Sequence, residues 1–406
     1  MSEQFPMGFW NISPIEQFSE EDVKMWAECG MTVTQSPNFD PKKHDKKLLL
    51  DLLDICLRYD IKLILNDSRA ALGVFNEEAY RKNMAEAYAD FGKHPAVYGF
   101  YIGDEPNTPE AFQNCTTAYQ IQHETAPNLV PMLNFLPWWK TGIMNHEKHY
   151  FEDFISKSGV DFICYDHYRQ MNPEEGGTES YFTNLRFFSD HARAAGVPFW
   201  TTLLSVGHFR YRCPTQDDFR WQLSTAVASG CKGVFWYLFY DAADQRNYRN
   251  SPINDLHRRT AQYEQLAYEL RRFKRNHGQL FMDLKLKEVF HINKSYGGYQ
   301  LFEPYKTHKT IFKVISEHET NGIVSFFTDK ENREYIVITN NSKTESDLFN
   351  IYFDPRIKTL YNIKQNGKSA QDFSVYHSDA FYEAGDKENM VGVFLSPGMM
   401  EVFRLP

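Results

Sequence analysis

The chain has 406 residues, a formal net charge of -9 and dispersed basic residues with no Lys/Arg block, so no nucleic-acid partner is expected. No apolar run approaches the ~20 residues that a membrane-spanning helix needs, so no membrane partner is expected either. With 42% hydrophobic and 16% aromatic residues, the chain can bury one large core and a smaller second one.

Residues 1–9 lack a basic start followed by an apolar stretch, so no secretory signal is visible. The six cysteines are scattered without CxxC pairing. Both features predict a reduced, cytoplasmic protein, secreted only if the sequence is truncated.

In chain order, short apolar runs alternate with longer amphipathic ones up to about Gly278. Residues 5–10 read as a first strand. Residues 20–29 read as a helix closed by Gly30, a residue favoured just past a helix end. A second strand at 31–34 precedes a helix at 46–59, where Leu49, Leu52, Leu53, Cys56 and Leu57 repeat at i, i+3, i+4 spacing. A third strand at 61–65 ends at Asn66-Asp67 and leads to a helix at 77–91.

The fourth strand starts at Val97 and stops abruptly at Asp104-Glu105-Pro106. Proline cannot donate a ladder hydrogen bond, which ends the strand there. Thr108 and Pro109 are an N-cap and a first-turn proline for a helix through about Glu124. Strands follow at 130–135, 160–165, 198–204 and 232–239, separated by helices at 150–157, 179–194 and 216–228 and closed by one at 257–276. After about residue 279 the pattern becomes short β-rich runs at 323–328, 334–339, 348–353, 359–363, 390–395 and 400–405, with turn residues between them.

Eight strand–helix units in sequence imply parallel strands joined by right-handed crossovers. The predicted fold is α/β: a (β/α)₈ TIM barrel over 1–278, followed by a C-terminal antiparallel β-sandwich domain over 279–406. A doubly wound open sheet is disfavoured because no Gly-rich phosphate fingerprint follows the first strand.

In such a barrel, chemistry sits at the C-terminal ends of the strands. Two adjacent carboxylates, Asp104 and Glu105, occupy one such end. A carboxylic acid can protonate a departing sugar oxygen if burial or a neighbouring negative charge raises its pKa. Adjacent strand residues normally face opposite ways, so the two can share a site only if the strand breaks there.

Other strand ends add polar and aromatic groups: Asn66 and Asp67; Asn134, Trp138 and Trp139; Tyr165, Asp166, His167 and Tyr168; His208; Trp236, Tyr240 and Asp241. Metal chemistry is only weakly supported, and no metal or cofactor is predicted. His146-Glu147-Lys148-His149 is one residue short of HExxH, so its two histidines would not share a helix face.

These features resemble the (β/α)₈ glycoside hydrolases of the broad clan-A type. The resemblance rests on the barrel order and on Tyr98-Gly99-Phe100-Tyr101-Ile102-Gly103-Asp104-Glu105-Pro106. The stretches Asp-Phe-Ile-Cys-Tyr-Asp-His-Tyr at 161–168 and Gly-Cys-Lys-Gly-Val-Phe-Trp-Tyr at 230–237 extend it. It implies a glycosidase acting on a carbohydrate, with Glu105 as general acid/base; beside it Asp104 is read as its assistant and Asp166 as the leading second carboxylate. Asn134, Trp138, Tyr165, His167, Tyr168, Trp236, Asp67, Asn66, His208 and Tyr240 would bind sugar.

The chain departs from that family at strand seven, where residues 198–208 contain no carboxylate to act as nucleophile. Three mechanisms would accommodate the loss. The Asp-Glu pair is similar to that of hexosaminidase-type barrels, where the substrate's own 2-acetamido group attacks. Asp166 could activate water in an inverting reaction, or Asp67 or Asp241 could serve as an unusual nucleophile. A catalytically inactive glycan-binding barrel and a metal-dependent sugar isomerase or lyase are the alternative functions.

Overall fold

The computed structural model describes residues 4–172, 175–241, 247–357, 360–364, 373–375, 382–383 and 389–406. Eight parallel strands form one sheet: β1 (Met7–Phe9), β2 (Val33–Gln35), β3 (Lys62–Leu65), β4 (Val97–Asp104), β5 (Val130–Phe135), β6 (Ile163–Asp166), β7 (Phe199–Leu204) and β8 (Val234–Tyr237). Each is followed by a helix: α1 (Glu20–Cys29), α2 (Lys46–Arg58), α3 (Glu77–Ala87), α4 (Pro109–Thr125), α5 (Tyr150–Ser158), α6 (Glu175–Ala195), α7 (Gln216–Ala228) and α8 (Ala261–Phe273). Local chemistry sets the helix starts. The Thr108 hydroxyl accepts from the Ala111 amide with Pro109 in the first turn, and Thr215 forms a capping box with Asp218.

The strand order runs β1-β8-β7-β6-β5-β4-β3-β2, and a Thr32 N–H to Met7 carbonyl bond of 2.8 Å and two threonine side chains close the remaining seam. The Thr32 hydroxyl accepts from the Met7 amide and donates to the Phe5 carbonyl. Thr34 does the same for the amide and carbonyl of Phe9. The approach requires Gly8, because a Cβ there would lie 1.8 Å from the Val33 carbonyl oxygen. Gly8→Ala is therefore expected to lower unfolding stability by ~3 kcal/mol or more, since the seam must part to admit the methyl group. Urea denaturation checks this, and an unchanged midpoint would show that the seam gives way freely.

Apolar side chains sort into two barrel layers. Trp10, Ile64, Tyr101, Met132, Phe162, Cys164, Trp200 and Phe235 fill the interior, while Phe100, Ile102, Tyr165 and Trp236 pack outward against helices. That outer layer continues without a break into the C-terminal sheets, through Ile323, Phe327, Val337 and Val402. Helix α7 lies between the barrel and those sheets and is buried on every face from Asp218 to Ala228. Its Trp221 indole donates to Asn341 at 2.9 Å, and Arg220 donates to the Pro397 carbonyl at 2.6 Å.

The C-terminal part is a sandwich. One sheet holds β9 (Lys285–Ile292), β10 (Gln300–Leu301), β12 (Gly322–Thr328), β13 (Glu334–Asn340), β15 (Tyr361–Ile363), β16 (Phe373–Val375) and β19 (Met400–Arg404). The other holds β11 (Ile311–Ser316), β14 (Asp347–Phe353), β17 (Tyr382–Glu383) and β18 (Asn389–Leu395). All pairings are antiparallel except that of β9 with β10. Phe290, Val324, Ile336 and Phe403 from the first sheet meet Ile311, Phe349, Ile351 and Val391 from the second.

Five strands escape the sequence pattern. In β9, charged Lys285, Lys287 and Glu288 occupy the half that stays solvent-accessible, and in β11 a bulge between Ile311 and Lys313 breaks the alternation. The short β10, β16 and β17 carry too few residues to show a period. The strand expected at 359–363 is found at Tyr361–Ile363, residue 359 lying outside the described residues. Among the described residues, no helix is long and apolar enough to cross a membrane.

Candidate active site

A cavity of about 500 Å³ opens at the C-terminal ends of the barrel strands. Asp104, Glu105, Asn134, Trp138, Asp166, His167, Tyr168 and His208 line it, so eight of the residues expected from sequence converge there.

Strand β4 is irregular where it matters. Its pairing with β5 slips by one residue between Tyr101 and Gly103, which sets Asp104 opposite Asn134. Glu105 then turns into the left-handed region at φ 49°, while its amide donates to the Asn134 carbonyl at 2.8 Å. The strand thus breaks between the two carboxylates, and both face one cavity. A left-handed backbone at a non-glycine residue is costly and concentrates at functional sites.

One amide organises the acids. The Asn134 Nδ2 group donates to Asp104 and to Asp166, each at 2.9 Å. Its two N–H bonds are thereby used. The Cys164 thiol points at Asn134 Oδ1 at 3.6 Å, which completes the network. Asp166 is also hydrogen-bonded to Glu105, so three carboxyls form one compact cluster.

Such a cluster cannot ionise fully. Burial, then the charges of Glu105 and Asp104, hold Asp166 well above the usual carboxylate range. Burial and then Asp104 raise Glu105, and burial raises Asp104 against the opposing pull of its Asn134 bond. Asp104 itself stays exposed at the cavity surface. Asp166 is the most enclosed of the three and is raised furthest, and its hydrogen bond with Glu105 lets the two carboxyls share a proton.

Beyond the acids, the walls are largely aromatic and, apart from Arg169, uncharged. His167 accepts from the Arg169 amide through Nδ1 at 3.1 Å, which leaves Nε2–H to meet the Ser180 hydroxyl at 2.7 Å. Burial, then the nearby Arg169 charge, holds its pKa down to about 3. Tyr168 stacks on Tyr237 with centroids 5.5 Å apart, and His208 stacks on Tyr248 at 4.8 Å. The Tyr237 and Tyr248 hydroxyls are hydrogen-bonded to each other. Trp10 forms part of the floor, its indole donating to Thr202 at 3.0 Å.

Five expected residues lie elsewhere. Tyr165 points outward from β6 and stacks on Phe188 at 3.9 Å. Trp236 points outward from β8 onto Phe219. Tyr240 is fully buried beneath α1, accepting from the Trp26 indole at 2.6 Å and donating to Asp22 at 3.2 Å. The Asn66 amide donates to Asn38. Asp67 is fully buried in an ion pair with Arg69 at 2.8 Å and is not presented to substrate as a nucleophile. Asp241, His146 and His149 also do not line the cavity.

Sequence reasoning passed over Trp10, Arg169, Ser180, Phe209, Tyr211 and Tyr237. Tyr237 was legible in principle. In a strand, choosing Trp236 for one face assigns Tyr237 to the other, and the expectation took the wrong member of the pair.

No family model matches the chain, and no curated protein sequence matches it. Among solved structures it is similar to a β-galactosidase from the psychrophilic Marinomonas ef1, at 12% identity and TM-score 0.51, covering 66% of this chain and 59% of that one. It is similar to a glycoside hydrolase family 5 protein from Bacteroides vulgatus, at 11% identity and TM-score 0.58, over 98% of this chain and 89% of that one. A glucosidase from Croceicoccus marinus aligns at 9% identity and TM-score 0.50, over 100% and 96%. The chain thus spans less than two thirds of the β-galactosidase's own length. At such identities the likeness shows a shared fold, a (β/α)₈ barrel of the kind found among glycoside hydrolases.

Proposed function

We propose that this chain is a glycoside hydrolase that cleaves a glycosidic bond of an oligo- or polysaccharide, with Glu105 as general acid/base. The observation that carries this reading is the proton-sharing carboxyl cluster at the mouth of the barrel, facing an aromatic cavity. A carboxyl kept protonated near neutral pH is what departure of a sugar oxygen requires. Asp166 shares its proton with Glu105, which delivers it to the leaving oxygen, and Asp104 orients the substrate from the open side of the cluster.

The compactness of the cluster bears on the mechanism. An inverting pair stands ~6.5–9.5 Å apart and a retaining pair ~5–5.5 Å apart, leaving room for water or an anomeric carbon. Asp166 is instead within hydrogen-bonding range of Glu105. That disfavours Asp166 as an inverting base. No carboxylate lies on β7, which reads Phe-Trp-Thr-Thr-Leu-Leu. The reading supported best is therefore substrate-assisted cleavage, in which a 2-acetamido group of the sugar supplies the attacking oxygen. Asp104 would orient that group, and Glu105 would protonate the leaving oxygen.

The test is release of reducing ends from aryl glycosides and oligosaccharides, including 2-acetamido sugars beside their 2-hydroxy counterparts. Turnover confined to 2-acetamido substrates is expected. Turnover of 2-hydroxy substrates alone would defeat the substrate-assisted step and leave the hydrolase standing. Sugar binding with no release across the panel would favour an inactive glycan-binding barrel, a reading that the missing β7 carboxylate supports.

A further inference from the structure

The cavity lip carries two aromatic rings that the acid chemistry does not use. Trp139, in the loop after β5, is 43% exposed, and Phe209, in the loop after β7, is 69% exposed. Both line the mouth of the cavity.

Each ring is held in place by its surroundings. Trp139 lies over Gly142, where a Cβ would come within 2.6 Å of the indole. The Trp139 carbonyl accepts from the Gly142 amide at 2.9 Å, closing the turn beneath the ring. Phe209 occupies the first central position of a two-residue turn, with His208 and Tyr211 exchanging both backbone bonds. Its φ is 47°, a conformation that normally selects glycine at that position. The turn is pinned from outside: Asn247 accepts from the Phe209 amide at 2.6 Å, and Arg249 donates to the carbonyls of Phe209 and Tyr211. A large apolar side chain thus stands exposed where backbone geometry favours no side chain at all. Among the described residues its one ring contact is with the neighbouring His208, whose centroid lies 4.1 Å away; that contact leaves the ring 69% exposed, and a ligand lying across the lip would cover it.

We infer that Trp139 and Phe209 form stacking platforms for sugar units beyond the one held at Glu105, so that the substrate is an oligosaccharide or polysaccharide chain rather than a terminal monosaccharide. The inference rests on reading the cavity as a glycan site. Pyranose faces present C–H groups to such rings, and the rings need no charge to recognise them. Apart from the Asp104, Glu105 and Asp166 cluster and Arg169, the cavity lining carries no charged side chain, which suits an uncharged chain.

The test is a titration of the Glu105→Gln protein with gluco-, manno-, galacto- and N-acetylgluco-configured hexasaccharides, each beside its disaccharide, followed by indole fluorescence and calorimetry. At least one hexasaccharide is expected to bind more tightly than its disaccharide. Trp139→Ala and Phe209→Gly are each expected to weaken that hexasaccharide by about tenfold while leaving the disaccharide unchanged. Phe394→Ala, exposed on the C-terminal sheets, should alter neither. Phe209→Gly should melt at or above the parent temperature, because glycine suits the turn. Equal affinity for both lengths, unchanged binding in the two lip variants, or a marked fall in melting temperature for Phe209→Gly would each overturn the platform. If the parent enzyme still cleaves aryl monoglycosides in those cases, the hydrolase reading survives without it.

Discussion

Glu105→Gln is expected to reduce turnover by roughly 10²–10⁴-fold, the range over which a positioned general acid contributes. The amide keeps the shape of the side chain and still hydrogen-bonds Asp166, but it has no proton to give. The fold should survive, because the Glu105 carboxyl is not buried in the apolar core. Melting temperature and circular dichroism should match the parent, and aryl glycosides with very good leaving groups should be the least affected. Near-normal cleavage of an ordinary substrate by this variant would remove Glu105 from the chemistry. The parent's pH profile offers a second check. Burial and the Asp104 charge raise Glu105, so activity should persist above the ordinary carboxylate range near ~4.3 before falling on the alkaline side.

Asp166→Asn is expected to make the protein more stable and less active. The acid is buried and its pKa is raised, chiefly by burial and then by Glu105 and Asp104. The sign follows from linkage. A carboxyl with a raised native pKa lends its full stability below its unfolded value, near ~3.9, and loses it as pH rises through the native value. Asparagine mimics the protonated acid at every pH: its oxygen still accepts from Asn134 and its amide donates to Glu105. The variant should therefore match the parent at pH 4 and exceed it at pH 8, by about 1.4 kcal/mol for each unit of raised pKa removed. Thermal melts across that range read the difference directly, and parallel pH curves would show that the parent's Asp166 carries no such penalty.

The same change should move the activity profile. In the parent the Asp166–Glu105 pair keeps one proton until Asp166, raised furthest, gives it up; with asparagine there the only proton is that of Glu105, which faces a permanent donor and ionises more readily. The alkaline limb of kcat/KM is then expected to shift to lower pH, with a loss of about tenfold or more at neutral pH. A purely structural Asp166 would leave that limb in place. Gain in stability alongside loss of activity is the pattern expected where a site holds charges that the fold would rather neutralise.

Much of the barrel could be read from local pattern. Helix α2 shows its apolar face through Leu49, Leu52, Leu53 and Cys56, all buried as expected, while Leu57, read as part of that face, is exposed. Strand β5 and helix α7 begin and end where the sequence places them. The carboxylates after β4 stood out because a long apolar run stops at them. These features depend on neighbours within a few residues, and such information is present in any short window.

The composition of the site was less legible. Strand residues alternate between faces, but the phase of that alternation is set by pairing with the next strand. Only the assembled barrel put Asp166 inward and Tyr165 outward, and Tyr237 inward in place of Trp236. Only the slip in β4 and the left-handed turn at Glu105 bring two adjacent acids to one cavity. Asp67, an equal candidate as a letter in the chain, is neutralised by Arg69 two residues on. Sequence thus determined which strand end carries an acid pair, because strand period and proline are local. Tertiary structure decided which acids touch, because that depends on register between strands and on a single amide, Asn134, held between two of them.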